Sequence, residues 1–290
     1  MSFKIAIASG KGGTGKTSVS VCLQHIIKKQ ITDSVQLVDC DVEEPNDLLF
    51  FPNARKKKAH KLTQLVPIIN ENNCTFCKKC ADYCAFNAIS IIPSVSIAQV
   101  NSSLCHSCGA CLVACEQDAI REVELPIGQI NFYQEENRIS LIEGELKIGS
   151  AMQTMVIKEL KKHIDKANQI TLYDAPPGTS CPVVETISDV DFIILVTEPT
   201  PFGLHDLKLM LELIKELNKP CSVIINKVGL GNRYIYDFLE LEQIEILGEI
   251  PFMQDFASRY AKGELLNDIP KAISDEFESI SEKLKKKIYT

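Results

Sequence analysis

Short apolar runs recur along the chain at Phe3–Ala8, Val35–Val38, Ile170–Tyr173, Phe192–Val196, Cys221–Ile225 and Ile244–Leu247. Consecutive apolar residues, many of them β-branched, suit strands buried on both faces. Between them lie stretches of helical spacing: Thr17–Lys29 with Val21, Leu23, Ile26 and Ile27 apolar, then Leu204–Leu217 and Ile273–Lys287. The alternation predicts an α/β fold with a doubly wound, mostly parallel sheet.

Between about Ala59 and Ile148 this rhythm is replaced by short, Cys-rich pieces with polar Asn and Ser stretches, and a helix from about Ala151 to His163 then restores it. The break predicts a small α+β domain inserted at residues 61–148, with the larger domain built from 1–60 and 149–290. The inserted part repeats itself. Cys74, Cys77, Cys80 and Cys84 recur as Cys105, Cys108, Cys111 and Cys115 with an offset of 31, and Asn87-Ala88-Ile89 recurs as Asp118-Ala119-Ile120. Two equivalent half-modules are expected.

With 290 residues and 45% hydrophobic content, the chain can bury a substantial core. Its net charge of −7 argues against nucleic acid as a partner, because neutralising phosphates requires an excess of Lys and Arg. The basic run Arg55, Lys56, Lys57, Lys58, His60 and Lys61 reads as a solvated loop without a role. No stretch approaches the ~18 apolar residues of a membrane span. The opening MSFKIAIA has no signal-peptide pattern, so a cytoplasmic protein is expected. In that reducing setting twelve cysteines, eight of them between Cys74 and Cys115, point to metal rather than disulfides.

Gly10-Lys11-Gly12-Gly13-Thr14-Gly15-Lys16-Thr17 fits GxxxxGK(S/T) and falls between an expected strand and helix. Its glycines let successive backbone N–H groups converge on phosphate at a helix N-terminus; Lys16 neutralises β/γ charge, and Thr17 reaches Mg²⁺. Ser18 completes this nucleotide-binding segment. Acidic residues follow two other expected strands, Asp39 and Asp41 after Val35–Val38 and Asp174 after Ile170–Tyr173. Ligands of such sheets bind beyond the carboxyl ends of the strands, so these carboxylates are placed to hold Mg²⁺ and orient a water toward the γ-phosphate of ATP.

Both cysteine sets read C-x2-C-x2-C-x3-C, a spacing in which three thiolates from one loop and the fourth from the other half hold each [4Fe-4S] cluster. Crossed ligation assigns Cys74, Cys77, Cys80 and Cys115 to one cluster, and Cys105, Cys108, Cys111 and Cys84 to the other. Zinc is the rival, though it favours two separated C-x2-C pairs. The proline that usually follows the fourth cysteine is replaced by Ala85 and Glu116, which bears on the local turn and the cluster potential. His106 reads as an exposed bystander. Cys22, Cys40 and Cys221 read as small buried hydrophobes.

The segments GKGGTGKT, DCDVEEPN and DAPPGTSCP resemble the deviant Walker A, switch I and switch II segments of the MinD/ParA/Mrp ATPases, a superclass that includes the nitrogenase iron protein. With the cysteine insert, the chain is similar to the subgroup of MinD-type ATPases containing a two-cluster ferredoxin domain. The resemblance implies a P-loop NTPase that hydrolyses ATP as a homodimer. Lys11 would reach the partner's nucleotide, Asp41 would position the hydrolytic water, and Asp174 would act at Mg²⁺ through water. The Gly178 backbone would sense the γ-phosphate, Asn226 would read adenine, and Cys181 would lie near the dimer axis.

The resemblance further implies ATP-gated electron delivery to a redox partner. Its alternatives are an iron–sulfur or metallocofactor carrier serving an assembly partner, and a MinD-like positioning ATPase with structural clusters. MinD proteins reach membranes through a C-terminal amphipathic helix. Here the stripe Ile273, Phe277, Ile280, Leu284 and Ile288 is expected to pack against the sheet instead.

Overall fold

The computed structural model describes residues 2–136 and 138–289. The elements that matter for the site are β1 (Phe3–Ala8), α1 (Lys16–Gln30), β2 (Val35–Asp39), β3 (Arg55–Ile69), α2 (Lys79–Asp82), β4 (Ile89–Ile92), β5 (Ile97–Val100), α3 (Ala110–Ala114), β6 (Ile120–Glu135) and β7 (Arg138–Leu146). They continue with α4 (Gln153–Lys162), β8 (Ile170–Asp174), α5 (Cys181–Ile187), β9 (Phe192–Thr197), α6 (Pro201–Glu216), β10 (Cys221–Val228), α7 (Tyr234–Leu241), β11 (Ile246–Pro251), α8 (Gln254–Ala261) and α9 (Lys271–Tyr289).

Among the described residues nine strands form one sheet in the order β11-β10-β9-β1-β8-β2-β7-β6-β3, and every neighbouring pair from β11 to β7 is parallel. The chain winds to one side of β1 with β8 and β2, and to the other with β9, β10 and β11. The carboxyl end of β1 therefore lies where the winding reverses, which is where open α/β sheets bind ligands. Residues Ile5–Ala8 of β1 are fully buried, as a central strand covered on both faces requires.

The C-terminal stripe turns inward. Ile273, Phe277, Ile280 and Leu284 of α9 are each 0% exposed and join Val19, Leu23 and Ile27 of α1 in the main core. Phe277→Ala is expected to cost about 3–5 kcal/mol, because the site is fully enclosed and leaves a cavity. Urea unfolding checks this: a lower midpoint with an unchanged slope is the predicted result.

The strand expected at Ile244–Leu247 begins later, at Ile246. The Ile244 N–H donates to the Leu239 carbonyl at 2.9 Å, so Ile244 closes the C-terminal turn of α7 instead. The basic run is not a loop but the start of β3, with Arg55–Lys61 all exposed. Its strand character escapes hydrophobic patterning because an edge strand need not bury either face there.

The chain forms two compact units. One holds the chain up to Ala59, Ile130–Glu145 and everything from Ile157; the other holds His60–Gln129 and Leu146–Val156. The expected insert at 61–148 therefore differs in its later part: Ile130–Glu145 belongs with the sheet, where Leu141 and Ile142 are fully buried and pair with Leu37 and Val38.

In the smaller unit β4 pairs antiparallel with β5. The cysteine repeat is also a backbone repeat. Left-handed residues recur as Phe76 and Ser107 (φ 54 and 53°), Lys78 and Gly109 (68 and 71°), and Asn87 and Asp118 (53 and 49°). The Asn70 N–H donates to Ala119 O and the Asn101 N–H to Ala88 O, both at 2.7 Å.

Candidate functional site

The loop after β1 leads into α1 through Gly15, whose φ of 94° favours glycine and whose missing side chain leaves room for the Asn226 amide. Gly10 lies against the Asp206 backbone, where a Cβ would clash. A cavity of about 390 Å³ opens here, lined by Gly12, Gly13, Gly15, Lys16, Thr17 and Ser18, with Asp41 and Asn226 also on its wall. This is within the size range of small-molecule sites. Its apolar side comes from Phe252 and Met253 before α8 and Phe256 and Tyr260 within it, which the sequence reading did not identify, since this segment carries no motif.

Strand register assembles the acids. Asp39 pairs with Asp174 on β8 and with Glu143 on β7, placing three carboxylates in one row across adjacent parallel strands. Asp174 accepts from Thr17 Oγ1 at 2.9 Å and Ser20 Oγ at 3.0 Å. Burial raises its pKa, with Lys16 pulling in the opposite direction. Asp41 is less enclosed; burial lifts it to about 6 against the attraction of Lys16. Glu143 accepts from the Tyr133 hydroxyl at 2.6 Å and from Asn131 Nδ2 at 2.8 Å.

Asp39 serves the loop that follows it. Its carboxylate accepts the backbone N–H groups of Asp41 at 3.0 Å, Asn46 at 2.9 Å and Asp47 at 3.1 Å. The residue expected at Mg²⁺ thus holds Asp41 and its neighbours in place through both carboxylate oxygens.

Asp47 was not anticipated, because an acid six residues beyond Asp41 looks like an ordinary loop residue. It is fully buried, and neither carboxylate oxygen meets a donor. Burial first, then Asp39 and Asp174, push its pKa well above the usual carboxylate range. Such a carboxyl is accommodated by keeping its proton, which it can donate to Asp174. The folded chain then retains a proton that the unfolded chain loses, so stability of the nucleotide-free protein falls as pH rises above the ordinary carboxylate pKa. Asp47→Asn supplies a permanent donor in the same shape. It is expected to stabilise the nucleotide-free protein by about 1–3 kcal/mol at pH 8 and to flatten the decline between pH 5 and 8, read by urea denaturation.

Lys11 does not line the cavity. Its ammonium pairs with Glu198 at 2.6 Å, and Lys227 takes the other oxygen of Glu198 at 2.8 Å while donating to Gly13 O at 2.6 Å. Asn226 donates to Thr14 O at 2.8 Å, so its amide nitrogen braces the loop, while its oxygen accepts the N–H of the neighbouring Lys227 in β10 at 2.9 Å. The Gly178 N–H donates to Ser9 O at 3.0 Å, and its φ is 93°. Cys181 is exposed at the start of α5. Cys22 and Cys40 are fully buried, whereas Cys221 is only partly so.

In the smaller unit, Cys74, Cys77 and Cys80 of the first half line one cavity of about 90 Å³ with Cys115 of the second. The Phe76 N–H donates to Cys74 Sγ at 3.4 Å. In the other set, Cys105 and Cys84 pack with Val66 and Ala88, Cys111 feels Cys105 and Cys108, and the N–H groups of Ser107 and Ala88 donate to Cys105 and Cys84 at 3.5 and 3.3 Å. Among the described residues no three His, Cys, Asp or Glu side chains converge as a single metal ion requires. A [4Fe-4S] cluster makes a different demand: each thiolate binds its own iron, so the sulfurs surround the cluster instead of meeting at one point. Four cysteines around a small cavity, with N–H groups aimed at sulfur, fit that demand.

Among the described residues, no helix is long and apolar enough to cross a membrane. Residues 5–266 match the CobQ/CobB/MinD/ParA nucleotide binding domain. An uncharacterized protein of Methanocaldococcus jannaschii, MJ0578, is 34% identical over 97% of this chain and 96% of its own length. An uncharacterized ATP-binding protein of the same organism, MJ0823, is 27% identical over 94% of each chain. Among solved structures, the septum site-determining protein MinD from Pyrococcus horikoshii, complexed with Mg-ADP, aligns over 100% of this chain and 98% of its own, with a TM-score of 0.62 and 17% identity. A plasmid partition protein of Borrelia burgdorferi bound to AMPPNP covers 99% of this chain and all of its own, with a TM-score of 0.57 and 17% identity. The chain therefore belongs to the CobQ/CobB/MinD/ParA nucleotide-binding family and has the P-loop ATPase fold of its MinD/ParA members.

Proposed function

We propose that this chain is a MinD/ParA-like ATP-driven switch acting in the cytoplasm as a homodimer, with two [4Fe-4S] clusters held in its smaller unit. The observation carrying the ATPase site is the cavity shared by the P-loop, Lys16, Thr17 and Asp41, with Asp174 hydrogen-bonded to Thr17. Lys16 would neutralise phosphate charge, Thr17 and Asp174 would hold Mg²⁺, which supplies further charge neutralisation, and Asp41 would orient the attacking water. Asp39 keeps Asp41 in register. Lys11 leaves Glu198 to reach the partner's nucleotide, while Asn226 and Gly178 shape the loop around the bound one.

For the smaller unit, support comes from the cavity that draws three cysteines from one half of the repeat and the fourth from the other. Bound there, the clusters supply one-electron storage. A positioning role is supported by the likeness to MinD and to a plasmid partition protein. Electron delivery is the second reading, favoured by the paired half-modules and their N–H bonds to sulfur.

Anaerobic reconstitution followed by iron and sulfide analysis, with EPR of the reduced protein under ATP, ADP and no nucleotide, separates these readings. Two cluster signals that respond to nucleotide support electron delivery. Signals indifferent to nucleotide support the positioning reading, transfer of iron to an apo-acceptor supports a carrier, and failure to take up iron ends the cluster assignment.

A further inference from the structure

The repeat permits a position-by-position comparison of the two cysteine sites within one unit. The 31-residue offset places Thr75 opposite His106, Lys79 opposite Ala110, Ala85 opposite Glu116, and Phe86 opposite Gln117. Around Cys74, Cys77, Cys80 and Cys115 the wall is largely apolar, with Ile69, Phe76, Ile91 and Ile120, but the positions that differ between the halves carry polar side chains. Thr75 and Gln117 line the cavity, and Lys79 pairs with Glu116 at 2.5 Å.

At the other site the same positions carry different chemistry. His106 and Phe86 stack with ring centroids 3.9 Å apart and planes within 19°, and the ion pair is replaced by Ala110 and Ala85. Cys105 is 7% exposed, whereas its counterpart Cys74 is half-buried. Matching backbones therefore carry an ion pair with Thr75 and Gln117 beside one site and a stacked aromatic pair beside the other. A molecule from solution reaching the iron must pass these side chains, and access to water is one of the properties by which a protein tunes a cluster.

We propose that the two sites are inequivalent: the site of Cys74, Cys77, Cys80 and Cys115 is the port through which molecules from solution reach iron, and the Phe86–His106 pair shields the other. This rests on the cluster reading above. The fully loaded chain, challenged anaerobically with the anionic chelator bathophenanthroline disulfonate, is expected to lose iron in two phases of similar size, separated by about tenfold or more in rate. Cys77→Ser should remove the fast phase, and Cys108→Ser the slow one.

Exchanging the covers supplies the decisive test. Phe86→Gln with His106→Thr should bring the slow phase close to the fast one, while Thr75→His with Gln117→Phe should slow the fast phase. If the first pair fails to load, the second pair decides, and an unchanged fast phase there overturns the proposal. Full iron content with a single phase, or a fast phase abolished by Cys108→Ser, also overturns it while leaving the cluster reading intact. A chain that takes up no iron sinks both.

Discussion

Lys16→Ala is expected to lower ATP turnover by at least about 100-fold, the scale on which a single preorganised group at developing charge contributes to catalysis. Lys16 is only 8% exposed, lies on the nucleotide cavity, and is the main attraction opposing burial at both Asp41 and Asp174. Removing it deprives the phosphates of their counter-charge and leaves the carboxylates facing a less positive site. Nucleotide affinity should fall with turnover, because the ammonium contacts phosphate in the ground state as well. Equilibrium binding of a fluorescent ATP analogue together with phosphate release provides the check. Retained binding would remove Lys16 from the phosphate site. Lys11→Ala is the informative comparison: with Lys11 held by Glu198, it should spare nucleotide binding by the monomer and impair turnover only where two chains meet.

The second large effect concerns cysteine pairing. Under crossed ligation Cys80 and Cys115 belong to one site, so Cys80→Ser with Cys115→Ser should lower the iron content of the reconstituted protein by about half. Cys80→Ser with Cys111→Ser strikes both sites and should remove nearly all of it. If each half of the repeat kept its own four cysteines, Cys80 and Cys115 would belong to different clusters, and the first pair would instead abolish loading. Iron and sulfide analysis distinguishes these results without any activity measurement. Urea unfolding of both pairs, compared with the wild type before reconstitution, separates lost ligands from lost folding.

The sequence by itself determined the elements whose chemistry is local. A strand ending in GKGGTGKT can only place its glycines and Lys16 at a helix N-terminus, and the buried central strands announce themselves because both faces are apolar. The cysteine repeat was legible for the same reason: ligand spacing within a short loop is written in consecutive residues. The family likeness of the Asp39–Asn46 and Asp174–Pro182 segments was visible in the same way.

The tertiary structure decided what depends on residues far apart in sequence. Glu143 reaches the row of Asp39 and Asp174 only because β7 pairs with β2, from a segment whose cysteine-rich surroundings hid its place in the sheet. Asp47 is distinguished by burial without a donor, and no sequence pattern reports that. Asp39 turns to backbone N–H groups, and Asn226 to the P-loop, because each carboxylate or amide takes whichever partners the fold brings within reach. The edge position of β3 likewise emerges only once the whole sheet is assembled, since its opening residues Arg55–Lys61 are exposed on both faces and leave no hydrophobic trace.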